Sequence, residues 1–311
     1  MKNVFKFLVV LTVFSAFITT SCEKDEDLAL PEMGETKVIY VSGDEATISA
    51  ELISEGDEYV GDEGVCYSTS SEPTIEDNTT EKNIYDQPDL VEIEDLTPGT
   101  TYHIRGFATS DAGTSYGEEI TFTTTLPVED IEGNEYPTVQ IGDQVWMAEN
   151  LNYDPDQDDY RKSWCYNDNT DNCETYGRLY NWESMLQGEF SSTTNPSGIQ
   201  GVCPDGWHVP SDDEWKELEK HLGMSHSEAQ KGGRNSWRGT NEGSKLADNA
   251  ELWDKGALTN DKAFGIFGFS ALPGGYRKPT PFGDYLYMGS STKFWTCTYS
   301  GFGEVWSRGL S

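Results

Sequence analysis

Two hydrophobic periods divide the chain. Between residues 31 and 126 apolar and polar residues alternate. Thr47-Ile-Ser-Ala-Glu-Leu52, Gly64-Val-Cys-Tyr-Ser68 and Glu119-Ile-Thr-Phe-Thr-Thr124 each turn every second side chain to one face, the period of a half-buried strand. In Leu96-Thr-Pro-Gly-Thr-Thr-Tyr102, Pro98-Gly99 supplies a turn. Tyr102, Ile104 and Phe107 then mark a buried strand, with an irregularity expected at Gly106. A tyrosine just after such a turn has the placement of the tyrosine corner of Greek-key sandwiches, so an all-β sandwich is predicted. Cys66, alone in this segment, is expected to be a core thiol.

Beyond a linker at Pro127–Asp130 the pattern changes. Tyr136–Ile141 and Gln144–Met147 predict a hairpin closed by Gly142-Asp143. Further on, Ser211 and Glu214 form a capping box, with Asp212, Asp213 and Glu214 complementing the helix dipole. Trp215, Leu218 and Leu222 share one face, Lys220 and His221 fill the last turn, and Gly223 stops the helix. Leu179, Trp182 and Leu186 predict a second helical face, and Gly274-Gly275 tight β-turns. This half reads as α+β.

Several motifs of the second half occur in a known order: Tyr176-Gly-Arg-Leu-Tyr-Asn-Trp182, Cys203-Pro-Asp-Gly-Trp-His-Val-Pro-Ser211, Gly268-Phe-Ser-Ala-Leu-Pro-Gly-Gly-Tyr-Arg277 and Phe294-Trp295. Together they resemble the Fibrobacter succinogenes major paralogous (FISUMP) domain. The Trp207-x-x-Pro-x-x-x-Glu-Trp215 segment is similar to that of formylglycine-generating enzymes, which implies a C-type-lectin-like fold. Residues 31–126 look like a fibronectin type III domain. The fold class expected is therefore multidomain: a fibronectin type III-like β-sandwich followed by an α+β C-type-lectin-like domain over residues 127–311. Family members continue past the Trp-Ser-Arg region into a further strand resembling Gly-Phe-Ser-Val-Arg-Cys, so the resemblance implies either a domain truncated at its C-terminal end or a last strand supplied otherwise.

Residues 1–21 have the form of a targeting segment, with basic Lys2 and Lys6 before an apolar run from Phe7 to Ile18 that is too short to span a bilayer comfortably. Thr19-Thr-Ser-Cys22 resembles a bacterial lipobox, so Cys22 is the expected lipidation site and an outer-membrane lipoprotein the expected form. Residues 22–30 begin with an acidic run resembling the tether that directs Bacteroidetes-type lipoproteins to the cell surface; a plain solvated linker is the alternative. With 21 Lys and Arg against 55 Asp and Glu, the formal net charge is −34. Such a surface repels phosphate backbones, which excludes nucleic acid as a partner.

Four cysteines lie in the second half: Cys165, Cys173, Cys203 and Cys297. Secretion favours disulfides, and three pairings exist. Cys165 and Cys173 close a short Asn/Asp-rich loop and are preferred, leaving Cys203 with Cys297; if the family's further strand supplies the partner of Cys203, Cys297 stays free. No Cys-x-x-Cys suggests zinc. Asp154, Asp156 and Asp158 alternate as hard oxygen ligands could around calcium, beside a second oxygen-rich loop, Asp168–Asn172. The glycine and distal glutamate of an EF-hand loop are missing, so a solvated acidic loop is the competing reading and calcium the one cofactor the pattern allows. Glu-Pro-Asn, Gln-Pro-Asp and Trp-Asn-Asp sugar-binding signatures are absent from the second half.

Trp237, Trp253, Tyr285, Tyr287 and Trp306 sit in loop-like, Gly-rich surroundings and are candidate ligand-stacking residues, with core packing as the alternative. His208 is expected to be a structural hydrogen-bonder. No nucleophile elbow, phosphate-cradling loop or His-Glu-x-x-His occurs. The expectation is a surface-anchored, non-catalytic binding or adhesion module for glycans or another surface protein, with the sandwich as spacer or second binding module. The alternatives are an extracellular enzyme, acting on polysaccharide or related to formylglycine-generating enzymes, and a structural component of a surface assembly.

Overall fold

A computed structural model describes residues 28–81, 90–155, 163–233, 237–279, 283–301 and 303–311. Cys22, Asp156 and Asp158 lie outside them. None of the described helices is long and apolar enough to cross a membrane.

The alternating segments form two facing sheets. One contains Glu32–Val41, Ala46–Ser54 and Leu90–Ile93; the other contains Asn78–Glu81, Val60–Ser68 and Thr101–Ser110, whose far edge pairs with both Gly113–Tyr116 and Ile120–Thr123. Their inward positions, among them Ile48, Val65, Val91, Ile93 and Ile104, make an aliphatic core. The tyrosine corner is present: the Thr97 amide donates to Tyr102 Oη at 3.1 Å, and the Tyr102 ring stacks on Phe122 at 5.7 Å. Gly106 does not interrupt the ladder as expected. It keeps register opposite Val65, and a Cβ there would lie 2.9 Å from Met33 Cε and 3.2 Å from Ala50 Cβ of the facing sheet. The glycine therefore serves close approach between sheets. Cys66 is buried, and burial raises its thiol to about 11.

The predicted hairpin forms, with Thr138–Ile141 pairing Gln144–Met147 around Gly142-Asp143. It also extends the sandwich: Gln140 pairs with Val41, so one five-stranded sheet runs through both regions. Tyr40 joins the second region's core. The segment expected as a linker is structured too. Val128–Glu129 pairs with Glu135–Tyr136, and Asp130 accepts from the Glu132 and Asn134 amides and, at 2.6 Å, from the Tyr136 hydroxyl.

The capped helix spans Asp212–His221 with both halves of the capping box formed, and Trp215, Leu218 and Leu222 are buried. The weaker helix is shorter than its pattern suggested. Leu179 belongs to the small strand Leu179–Tyr180, and only Trp182–Leu186 is helical, capped by Asn181. Short helices at Thr170–Tyr176, His226–Ala229 and Glu242–Leu246 accompany a four-stranded sheet ordered Tyr285–Met288, Gly274–Arg277, Thr292–Tyr299, Val305–Leu310.

The last of these strands pairs antiparallel with Thr292–Tyr299. Buried charges fasten it to the capped helix. Arg308 Nη2 lies 2.5 Å from Asp212, and its Nε 2.9 Å from Glu219 at an angle that misses a hydrogen bond. Arg238 completes the group on Glu219 at 2.5 Å.

Candidate functional site

Six of the nine tryptophans meet around one cleft of about 1000 Å³: Trp146, Trp164, Trp182, Trp207, Trp215 and Trp295. Each arrives on a different local element. Trp146 lies on the second strand of the hairpin and packs 4.9 Å from Trp215 of the capped helix. Trp182 opens its short helix and donates to the Thr296 carbonyl at 3.0 Å, while Trp295 donates to the Tyr180 carbonyl at 2.8 Å. These bonds cross between the Leu179–Leu186 segment and the strand Thr292–Tyr299, fixing both rings. Trp207 makes no side-chain hydrogen bond among the described residues and lies outside the buried clusters, yet it lines the cleft.

The segment Tyr176–Trp182 holds one wall. Gly177 has φ of 70°, and a Cβ there would lie 2.6 Å from that of Asn150, so only glycine permits the approach. Asn150 Nδ2 donates to the Tyr176 carbonyl and the Arg178 amide to that of Leu151. Arg178 also reaches Asp154 at 2.5 Å and Ser163 Oγ at 2.7 Å. Beneath it Cys165 and Cys173 are joined as the preferred pairing required.

On the opposite side, His208 Nε2 lies 2.6 Å from Glu214 Oε1. Glu214 Oε2 accepts from the Ser197 and Ser211 amides. Burial opposes the charge on Glu214, but the His208 bond and these amides hold its carboxyl below the usual value, and the same bond holds His208 above its own. His208 is thus the structural hydrogen-bonder expected, and Glu214 is fully engaged. Glu149 also lines the cleft, and partial burial raises its carboxyl.

The remaining sequence candidates lie elsewhere. Cys203 and Cys297 are free thiols, so the second disulfide is not formed. Cys297 is buried under the Trp182–Leu186 helix, and Cys203 packs against the same cluster. Burial raises both thiols, Cys203 to about 12. Asp154 is engaged by Arg178, and no group of three metal-binding side chains occurs among the described residues. The second oxygen-rich loop is used locally: Asn169 caps the helix Thr170–Tyr176, and Asp168 accepts from the Tyr285 hydroxyl at 2.5 Å.

None of Trp237, Trp253, Tyr285, Tyr287 and Trp306 lines the cleft. Trp253, expected in a loop-like setting, is 5 % exposed and donates to the Asp248 carbonyl, whereas Trp237 is 70 % exposed away from the cleft. Tyr287 borders it only through Tyr276, 5.5 Å away. Loop-like, Gly-rich surroundings therefore do not mark the tryptophans that line the cleft. The tryptophans that converge include those inside the family-like motifs, Trp182, Trp207 and Trp295, together with Trp146 of the hairpin.

The cleft's lining residues run from Asp143 to Ser307, and residues 139–310 match the Fibrobacter succinogenes major domain. The chain belongs to the Fibrobacter succinogenes major domain family. The cleft is thus built wholly within that domain. Comparison with curated proteins finds no match. Solved structures similar to the N-terminal part include the FN1–FN3 domains of chicken CNTN1, at 21% identity and a TM-score of 0.26, covering 32% of this chain and 33% of that one. Domains A168–A170 of titin match at 18% and 0.25, covering 32% of each chain. The third fibronectin III domain of human KIAA0343 matches at 16% and 0.26, covering 35% of this chain and 94% of that one. The match spans about a third of the first two of these structures.

Proposed function

We propose that this protein is a surface lipoprotein, anchored through Cys22, whose Fibrobacter major domain is a non-catalytic glycan-binding module. The observation that carries this reading is the convergence on one cleft of five half-buried tryptophans, Trp146, Trp164, Trp182, Trp207 and Trp295, over the buried Trp215. Sugar rings present apolar C–H faces with polar rims, and flat aromatic rings complement those faces at low conformational-entropy cost. Glu214, fixed by a histidine and two amides, is poorly placed to exchange protons with a substrate, which leaves Glu149 as the cleft carboxyl that the cleavage outcome below tests. Calcium is not required by such a site. A C-type-lectin-like relationship for the domain is supported by its mixture of short helices, long loops and a small antiparallel sheet, and by the resemblance of Trp207–Trp215 to formylglycine-generating enzymes.

The sandwich, sharing a sheet with this domain, serves as a stiff stalk between the anchor and the cleft. The test is a glycan array with the recombinant chain, with calcium and with chelator, followed by titration of hits against Trp207→Ala. Saturable binding indifferent to chelator and weakened roughly thirtyfold by W207A is expected, the effect of removing a central aromatic anchor. Absence of binding by a folded chain overturns the glycan reading, and cleavage of an array oligosaccharide overturns the non-catalytic one.

A further inference from the structure

The charge in the cleft departs from that of the chain. Across the sequence acids outnumber bases 55 to 21, yet the cleft is lined by four Lys or Arg and five Asp or Glu. Several of these already have a partner: Arg178 pairs with Asp154, Glu214 is bonded to His208, and Lys278 Nζ is 3.8 Å from Asp284.

Two cations are placed differently. The Arg277 guanidinium lies 4.2 Å above the Trp164 ring, and Lys293 Nζ lies 4.0 Å above the Tyr276 ring. Neither has a carboxylate within ion-pair distance among the described residues, although Arg277 also neighbours the Tyr285 ring, whose hydroxyl is bonded to Asp168. Their strands, Gly274–Arg277 and Thr292–Tyr299, are adjacent, joined at Gly275 and Thr292. An aromatic face holds a cation in place without cancelling its charge, so the exposed Lys293 ammonium remains open to an anion, whereas the Arg277 guanidinium is partly buried, with Gly283 close against it and Trp164 beneath.

We propose that this wall of the cleft is an anion subsite, and that the glycan bound over the tryptophans carries an isolated acidic group, a uronic carboxylate or a sulfate. The inference rests on the glycan-binding reading above. The overall charge of −34 sets its limit. A dense polyanion is repelled by the surface as it approaches, whereas a single acid delivered into the cleft meets Lys293 at close range, where screening matters least.

The experiment compares a xylohexaose bearing one glucuronic acid branch, and a hyaluronan hexasaccharide, each with its carboxyl-reduced form, on the wild-type chain and on Lys293→Met. Lys293 is exposed, so K293M leaves the core untouched. At least one acidic probe is expected to bind roughly fivefold or more tightly than its reduced form, and that ratio to fall toward one in K293M and in 0.5 M salt. A ratio of one in the wild type, or a ratio that K293M leaves unchanged, overturns the anion subsite while neutral binding keeps the glycan reading. Preference for hexaglutamate over every sugar overturns it in favour of an acidic peptide. No binding of any sugar removes both.

Discussion

The sandwich and the cleft-bearing region are held together by different physics within one chain. The sandwich repeats one device: strands paired along their length over an aliphatic core, closed by a tyrosine corner. It contains no tryptophan; all nine lie at or beyond Trp146. The second region has short ladders and long connections, and relies on long-range specific bonds instead: indole to carbonyl, arginine to carboxylate, and one disulfide. A ladder tolerates the loss of a single bond. A region fastened by a few buried polar contacts does not, because each broken one leaves a desolvated partner behind. The contrast teaches that the cleft-bearing region is the more fragile part, although it shares one sheet with the sandwich.

The largest expected effect comes from Arg308→Ala. It removes one of the two cations on each of two buried carboxylates, leaving Asp212 with Lys216 and Glu219 with Arg238, and it removes the two hydrogen bonds to Asp212; about 3–5 kcal/mol is expected to be lost from the second region. Tryptophan fluorescence, which sees only that region, reports the fall in its denaturation midpoint. Hydrogen exchange in Val60–Ser68 tests whether the sandwich stays intact. Next is Ile48→Ala, fully buried in the sandwich, with a cost of about 2–5 kcal/mol. It should accelerate exchange throughout the sandwich. If the fluorescence midpoint drops equally, the two regions unfold as one unit through the shared sheet.

Replacing Cys165 and Cys173 by serine opens the short loop under Arg178, at a cost of about 2–3 kcal/mol by loop entropy, again read by fluorescence. Tyr102→Phe removes the corner bond from the Thr97 amide and should cost about 1 kcal/mol, confined to the sandwich by exchange. The smallest effect is the pH dependence of the His208–Glu214 pair. His208 is raised in the folded state, so its contribution is complete below about 6.5 and fades as pH rises through the folded value. Glu214 is lowered, so its contribution is complete above about 4.3 and fades as pH falls through its folded value. The pair therefore stabilises most between these limits. His208→Gln should flatten the stability decline on the alkaline side, measured by denaturant titration from pH 5 to 8. An unchanged slope would show that solvent screens the half-exposed imidazole.

Local chemistry was legible wherever one segment carried all of it. The capping box, the Trp215–Leu222 face, the hairpin turn and the tyrosine corner each depend on residues a few positions apart, and each formed as its pattern required. Gly106 and Leu179 show the boundary of that legibility. A glycine in a strand is compatible with a bulge or with a facing sheet pressed close, and only the facing sheet decides. An apolar i, i+3, i+7 set is compatible with a helix until a partner strand, here Ser163–Trp164, claims its first member.

By itself the sequence determined the segments: an alternating half, a motif-rich half, the strongest helix and its caps, the acidic surface and the family-like motifs. Tertiary structure alone decided the rest. It ran one sheet through both halves, turned an expected linker into a hydrogen-bonded buckle around Asp130, left Cys203 and Cys297 unjoined, and chose which tryptophans face a cleft. The reason is the range of the interactions. Periodicity and capping act over a turn or two of chain, whereas Trp182 meets Thr296, Arg308 meets Asp212 and Val41 meets Gln140 across about a hundred residues, where no local pattern records the pairing.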